Sequence, residues 1–190
     1  MKLLGILPFA RFLLEQALEP GDIAIDCTAG NGHDTLFLAN IVTESGKVYS
    51  FDIQEQAIKQ TQIKMEENGI NNRVCLINQG HETVAQVIPD EEHRKVKAAI
   101  FNLGYLPGGD KDIVTRPDST LQAIQALLTI MPKGGTIVLV IYHGHEEGKN
   151  ERKEVETFTE ALDQRKAHVL KYQFTNQANN PPFIIAIEKR

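Results

Sequence analysis

Cysteine is scarce in this chain: Cys27 and Cys75 are the two in 190 residues. Both lie in apolar, strand-like runs and neither belongs to a C-x-x-C pair, which argues against a disulfide framework and against a zinc site. Reduced thiols point to the cytoplasm. No apolar run approaches the ~20 residues a membrane-spanning helix needs, so no membrane partner is expected. The opening stretch from Met1 to Pro8 is too short for a secretory signal, Arg11 and Glu15 interrupt it, and no small-residue cleavage site follows. An excess of positive charge is missing as well, since 20 Lys and Arg face 25 Asp and Glu for a net charge of −5. That balance argues against a protein that coats nucleic acid through bulk charge, but leaves room for an enzyme that grips one RNA through a local basic patch. The sequence shows no internal repeat, low-complexity tract or interdomain linker, and the length suits one domain over residues 1–190.

What the chain does have is alternation of strand and helix patterns. Leu3, Leu7, Ala10, Leu14 and Ala17 recur at helical spacing and predict an amphipathic helix over about 2–18 that packs on the domain. Short apolar runs predict strands at 23–27, 47–52, 73–77, 97–102 and 136–142. Helices are expected between them, at about 34–41, 54–68, 81–88 and 118–130, the last capped by Asp118-Ser119-Thr120. A helix over about 149–164 precedes two final strands, at 168–174 and 183–188. This order implies an α/β fold with a doubly wound, seven-stranded, mostly parallel Rossmann-like sheet and an antiparallel C-terminal strand.

In such a sheet, ligands bind beyond the carboxyl ends of the strands. The first crossover is Asp26-Cys27-Thr28-Ala29-Gly30-Asn31-Gly32-His33-Asp34. Its glycines allow backbone to approach a ligand closely. Asp52 ends the second strand about twenty residues after Gly32, where an acid can accept hydrogen bonds from two ribose hydroxyls. A dinucleotide would call for G-x-G-x-x-G, and over this loop that pattern falls on Thr28, Gly30 and His33. Asp34 at the helix start would also repel a pyrophosphate. S-adenosylmethionine carries a sulfonium and an ammonium instead, and Asp26 and Asp34 suit those cations. The expected cofactor-binding residues are therefore Asp26, Ala29, Gly30, Asn31, Gly32, Asp34, Thr35, Asp52, Gln54 and His81, the last at the end of the third strand.

The fourth strand ends in Phe101-Asn102-Leu103-Gly104-Tyr105-Leu106-Pro107. This resembles the Asn/Asp-Pro-Pro-Tyr motif of methyltransferases that act on amino nitrogens, with Leu103 and Gly104 in place of the prolines. The resemblance implies that Asn102 accepts hydrogen bonds from a target amine and that Tyr105 holds the target group; both are the expected catalytic residues. Methyl transfer is an in-line displacement in which positioning dominates, and the amine must be neutral to attack. Tyr142, His143 and His145 follow the fifth strand on the same rim, and Asn180 precedes the last strand. These four are the expected substrate contacts. Metal is not required for such chemistry and none is expected. Lys111, Arg116, Lys149, Arg152 and Lys153 are candidate basic contacts to RNA.

Taken together, D-x-T-A-G-N-G-x-D-T-x-F-L, F-D-I-Q, F-N-L-G-Y-L-P-G-G-D, Y-H-G-H and N-x-P-P resemble, over nearly the whole chain, a family of small bacterial proteins labelled as rRNA methylases. Its characterised, MnmM-type members are tRNA methyltransferases. The resemblance implies N-methylation of the aminomethyl group of wobble 5-aminomethyl-2-thiouridine, in the anticodon stem-loop of tRNA. A methyltransferase of the same fold acting on rRNA or a small molecule is the alternative. An NAD-dependent oxidoreductase or a non-catalytic nucleotide-binding module stands for other classes. The oligomeric state is open, a homodimer included.

Overall fold

The computed structural model describes residues 2–104, 115–142, 146–178 and 180–190, with the backbone alone for 146–149. Among these residues seven strands form one sheet: β1 (Ile23–Asp26), β2 (Lys47–Phe51), β3 (Val74–Ile77), β4 (Val96–Leu103), β5 (Thr136–Ile141), β6 (Ala167–Tyr172) and β7 (Phe183–Lys189). Their spatial order is β3-β2-β1-β4-β5-β7-β6, with β7 antiparallel to both its neighbours and every other pairing parallel. Among the described residues six α-helices accompany them: α1 (Ile6–Ala17), α2 (His33–Val42), α3 (Glu55–Glu67), α4 (Val84–Val87), α5 (Pro117–Ile130) and α6 (Glu146–Glu160).

The central strands are buried on both faces, which is why they read as unbroken apolar runs. Alternate residues feed two cores. Ile137, Leu139 and Ile141 of β5 pack with Ala123, Ile124 and Leu127 of α5 and Val155 of α6. Val138 and Val140 point the other way, to Ala10 and Leu14 of α1 and Leu38 of α2. The register between β1 and β4 shifts once: Ile23 faces Val96, but Ala24 faces Ala98. The extra residue, Lys97, lets Val96 and Ala99 share one core while Ala98 and Ile100 join the other. After that shift Asn102 shares the parity of Ala98 and Ile100, so its side chain leaves the sheet on the α1–α2 side. By the same alternation Asp26 of β1 and Ser50 of β2 leave on that side too.

Several boundaries differ from the sequence expectation. The first helix begins at Ile6, with extended Gly5 as its N-cap, and Leu3 is two-thirds exposed. Helical spacing alone did not mark this start; Pro8, tolerated in a first turn, is the sequence sign of it. The expected helix over 81–88 is a 3₁₀ turn at His81–Thr83 followed by the single turn of α4. In α5 the N-cap is Arg116, with no side-chain cap, and Pro117 opens the helix. Proline needs no partner for its missing N–H there, so Asp118 lies inside the first turn and does not cap it. No helix among the described residues is long and apolar enough to cross a membrane.

Candidate active site

The strand order reverses between β2 and β4 on either side of β1, and the carboxyl ends of these strands open into a cavity of about 1150 Å³. That exceeds the roughly 300–1000 Å³ usual for one small ligand, so two reactants have room to meet. Its floor is the loop after β1. Cys27 N–H donates to Ile100 O at 2.9 Å, Ala29 N–H to Phe51 O at 2.8 Å and Gly32 N–H to Ala29 O at 2.8 Å, which ties the loop across three strands. Gly30 and Gly32 have φ of 53° and 73°, the left-handed region that costs a side chain energy. A Cβ on Gly32 would also stand 3.0 Å from Cα of Thr61 in α3.

Asp52, directly after β2, holds this loop from the side. Its Oδ2 accepts the Gly30 N–H at 3.0 Å and its Oδ1 the Gln54 N–H at 2.9 Å. Each carboxylate oxygen keeps one further acceptor site, so Asp52 lines the cavity with room for two ribose hydroxyls. Ala29, Gly30, Asn31, Asp34, Gln54 and His81 line the same cavity. Burial holds the His81 imidazole neutral, its pKa pushed below the usual histidine range. Its Nδ1–H donates to Cys27 O at 2.9 Å, which leaves Nε2 as a buried acceptor with no partner among the described residues.

Three expected cofactor contacts stand elsewhere. Asp26 is fully buried behind the loop and does not line the cavity. It accepts the Thr35 hydroxyl at 2.6 Å and the Thr28 N–H at 3.1 Å, and Thr35 meets the Ser50 hydroxyl at 2.7 Å. Burial, then the neighbouring Asp34, pushes the Asp26 carboxyl up to about 7. A carboxyl in that state braces the loop from beneath and is not placed to touch a bound cation. Thr35, fully buried in α2, belongs to the same brace, and Gly32 sits at the turn against α3 without lining the cavity. Sequence spacing put Asp26 beside the loop; the parity of β1 turned its side chain beneath α2.

Asn102, near the end of β4, lines the same cavity beside the loop. Its N–H donates to Thr28 Oγ1 at 2.8 Å and its Nδ2 to Asp34 Oδ2 at 2.8 Å, so strand end, loop and α2 are joined at one residue. Arg11 of α1 reaches within 3.7 Å of Asp34 Oδ1 and lies over the Phe37 ring. Tyr142 also lines the cavity, its hydroxyl pKa raised by burial and then by Asp34. Gly104 and Thr115 are joined by two hydrogen bonds: Thr115 N–H donates to Gly104 O, and Gly104 N–H to Thr115 Oγ1 at 3.0 Å. Buried Glu151 accepts the hydroxyls of Thr115 and Thr120 below it. Tyr105, His143 and His145 lie outside the described residues, as does Lys111. Asn180 is exposed and does not line the cavity.

Of the basic candidates, Arg116 lines the cavity, whereas Arg152 pairs with Glu156 and lies over the Phe183 ring. Lys153 is exposed on α6, and the side chain of Lys149 lies outside the described set. Sequence reasoning missed Arg11, Leu7 and Thr28. The first two sat on a helix read only as packing, and Thr28 lay inside the quoted motif with a hydroxyl that was given no task.

The profile of the family described as "Putative rRNA methylase" matches residues 48–188. A curated relative, "tRNA (mnm(5)s(2)U34)-methyltransferase, chloroplastic" of Arabidopsis thaliana, is 36% identical over 188 residues, 95% of this chain and 68% of its own length. The crystal structure of an rRNA-methylase-like protein from Clostridium thermocellum matches with a TM-score of 0.96 at 40% identity, over 100% of both chains. A methyltransferase from Streptococcus mutans, solved in complex with SAH, matches with a TM-score of 0.89 at 39% identity over 99% of each.

Proposed function

We propose a specific reaction for this chain, which belongs to the rRNA methylase family and is an S-adenosylmethionine-dependent methyltransferase: it N-methylates the 5-aminomethyl group of a wobble 5-aminomethyl-2-thiouridine in the anticodon stem-loop of tRNA. The observation that carries the reading is the meeting, in one cavity, of a glycine loop braced by Asp52 with Asn102 near the end of β4. The tRNA target takes its support from the name of the 36%-identical Arabidopsis relative.

Bound S-adenosylmethionine supplies an electrophilic methyl carbon on a sulfonium. The residues here do the rest by placement. Gly30 and Asn31 line the floor, and Asp52 offers acceptors to a ribose. Asn102 Oδ1 accepts an N–H of the neutral target amine and turns its lone pair toward the methyl group. As the new C–N bond forms the methyl carbon's bond to sulfur breaks, leaving S-adenosylhomocysteine and a secondary ammonium, whose proton passes to water. A wobble base is already unpaired in a loop, so extruding it into a cavity of this size costs little pairing energy.

The test is nucleoside mass spectrometry of tRNA and rRNA from a strain lacking this chain. Loss of the methylaminomethyl nucleoside with build-up of the aminomethyl form is expected. An unchanged tRNA profile with a missing rRNA methyl group would replace this reading by the rRNA one.

A further inference from the structure

Asp34 has a task that its sequence position does not reveal. It stands in the first turn of α2, close to the helix's free N–H groups. An ionised carboxylate only accepts hydrogen bonds, so the group of Asn102 facing it at 2.8 Å must be the amide nitrogen. The Asn102 amide is planar. With Nδ2 pinned on Asp34, Oδ1 is forced to the opposite side, and no described residue bonds it. The backbone of Asn102 is fixed separately by the Thr28 hydroxyl at 2.8 Å. Asp34 is itself held on its other oxygen by Arg11, 3.7 Å away, whose guanidinium rests over the Phe37 ring. Arg11 thus extends a line of contacts from α1 through α2 to the end of β4.

We infer that Asp34 is a positioning residue for the methyl-accepting nitrogen. It locks the rotation of the Asn102 amide so that Oδ1, and never Nδ2, faces the target amine. This rests on the reading of Asn102 as the amine acceptor, and it departs from the expectation that Asp34 serves the cations of the methyl donor. A freely rotating amide would present a donor to the amine in part of the population, and a donor there repels the amine's own N–H groups. The preorganisation therefore acts on turnover and leaves donor binding alone.

The test uses the full chain with Asp34→Ala, Asp34→Asn, Asn102→Ala and the Asp34→Ala/Asn102→Ala pair. Asp34→Ala should lower kcat by about tenfold or more, since misplacement of a reacting group costs rate steeply. Calorimetry with SAH should show binding within about threefold of the parent chain, too small a change for a lost buried contact. Asp34→Asn can still accept the Asn102 N–H through its own Oδ1 and should recover most of the rate. The double variant should be no slower than Asn102→Ala alone. A second readout needs neither donor nor turnover. In ¹⁵N-resolved NMR of the protein alone, the side-chain amide pair that disappears in Asn102→Ala should shift in Asp34→Ala and stay near its place in Asp34→Asn. An amide pair unmoved by Asp34→Ala overturns the inference, as does a loss of SAH affinity matching the loss of rate. An inactive parent chain with the NMR shifts as expected would instead count against the reaction proposed above.

Discussion

Replacing Asp52 by alanine tests the cofactor half of the site most directly. The side chain does two things at once. It holds the Gly30 and Gln54 amides at 3.0 and 2.9 Å, and it keeps two acceptor sites open to the cavity. Each amide bond is worth about 1 kcal/mol net, and Asp52 is half-buried, so water takes up part of the loss. The protein without ligand should therefore lose about 1–2 kcal/mol, or roughly 2–8 °C in Tm for a chain of this size. The two ribose acceptors add about 1–3 kcal/mol to the loss of SAH affinity, a weakening of about 5- to 150-fold. Asp52→Asn should fall between, since its amide can accept one backbone N–H but opposes a donor to the other. Calorimetry with SAH and a thermal scan of the unliganded protein separate the two parts. Affinity within twofold of the parent would mean that the ribose sits elsewhere. An unchanged Tm would mean that the loop is held by something other than this carboxylate.

Four further outcomes are expected. Asn102→Ala should cut kcat by about tenfold or more while SAH affinity holds, measured by methyl transfer to saturating tRNA; full turnover removes the assignment. Thr35→Val keeps the shape but strips the hydroxyl that serves Asp26 and Ser50 in a buried brace, at a cost of about 2–4 kcal/mol in urea unfolding; a loss below about 0.5 kcal/mol would show the brace to be incidental. Gly32→Ala meets a left-handed φ of 73° and backbone of Thr61 at 3.0 Å, and should cost about 2 kcal/mol or more; a neutral result refutes the described turn. The Asp26 carboxyl, raised to about 7 in the fold from 3.8, binds its proton more tightly folded than unfolded. Its stabilisation is thus full below the unfolded value and lost as pH rises through 7. Between pH 5 and 8 the parent chain should lose about 1–3 kcal/mol relative to Asp26→Asn, and equal pH slopes for the two would contradict the shift.

Much of the sheet was legible because its strands are covered on both sides. Continuous apolar runs such as Thr136–Ile141 between turn residues leave few other assignments. The single antiparallel strand followed from two adjacent strand runs with no helix between them. Helix ends were less legible, as α1 and α5 show, because proline can open a helix where a polar residue would otherwise cap it.

In the site, the sequence determined which chemistry was on offer: a glycine loop without the dinucleotide pattern, an acid about twenty residues on, and an asparagine at the end of β4. These are local patterns, and chain connectivity is enough to define them. Tertiary structure decided what each acid does. Asp26, Asp34 and Asp52 look alike along the chain, yet strand parity buries Asp26 under α2, the start of α2 sets Asp34 against Asn102, and Asp52 is tied into the loop across β2. Side-chain direction in a sheet depends on register, and register depends on the pairing of β1 with β4 and on the one-residue shift at Lys97. No stretch of sequence contains that pairing, because its partners lie about seventy residues apart and meet only when both cores close.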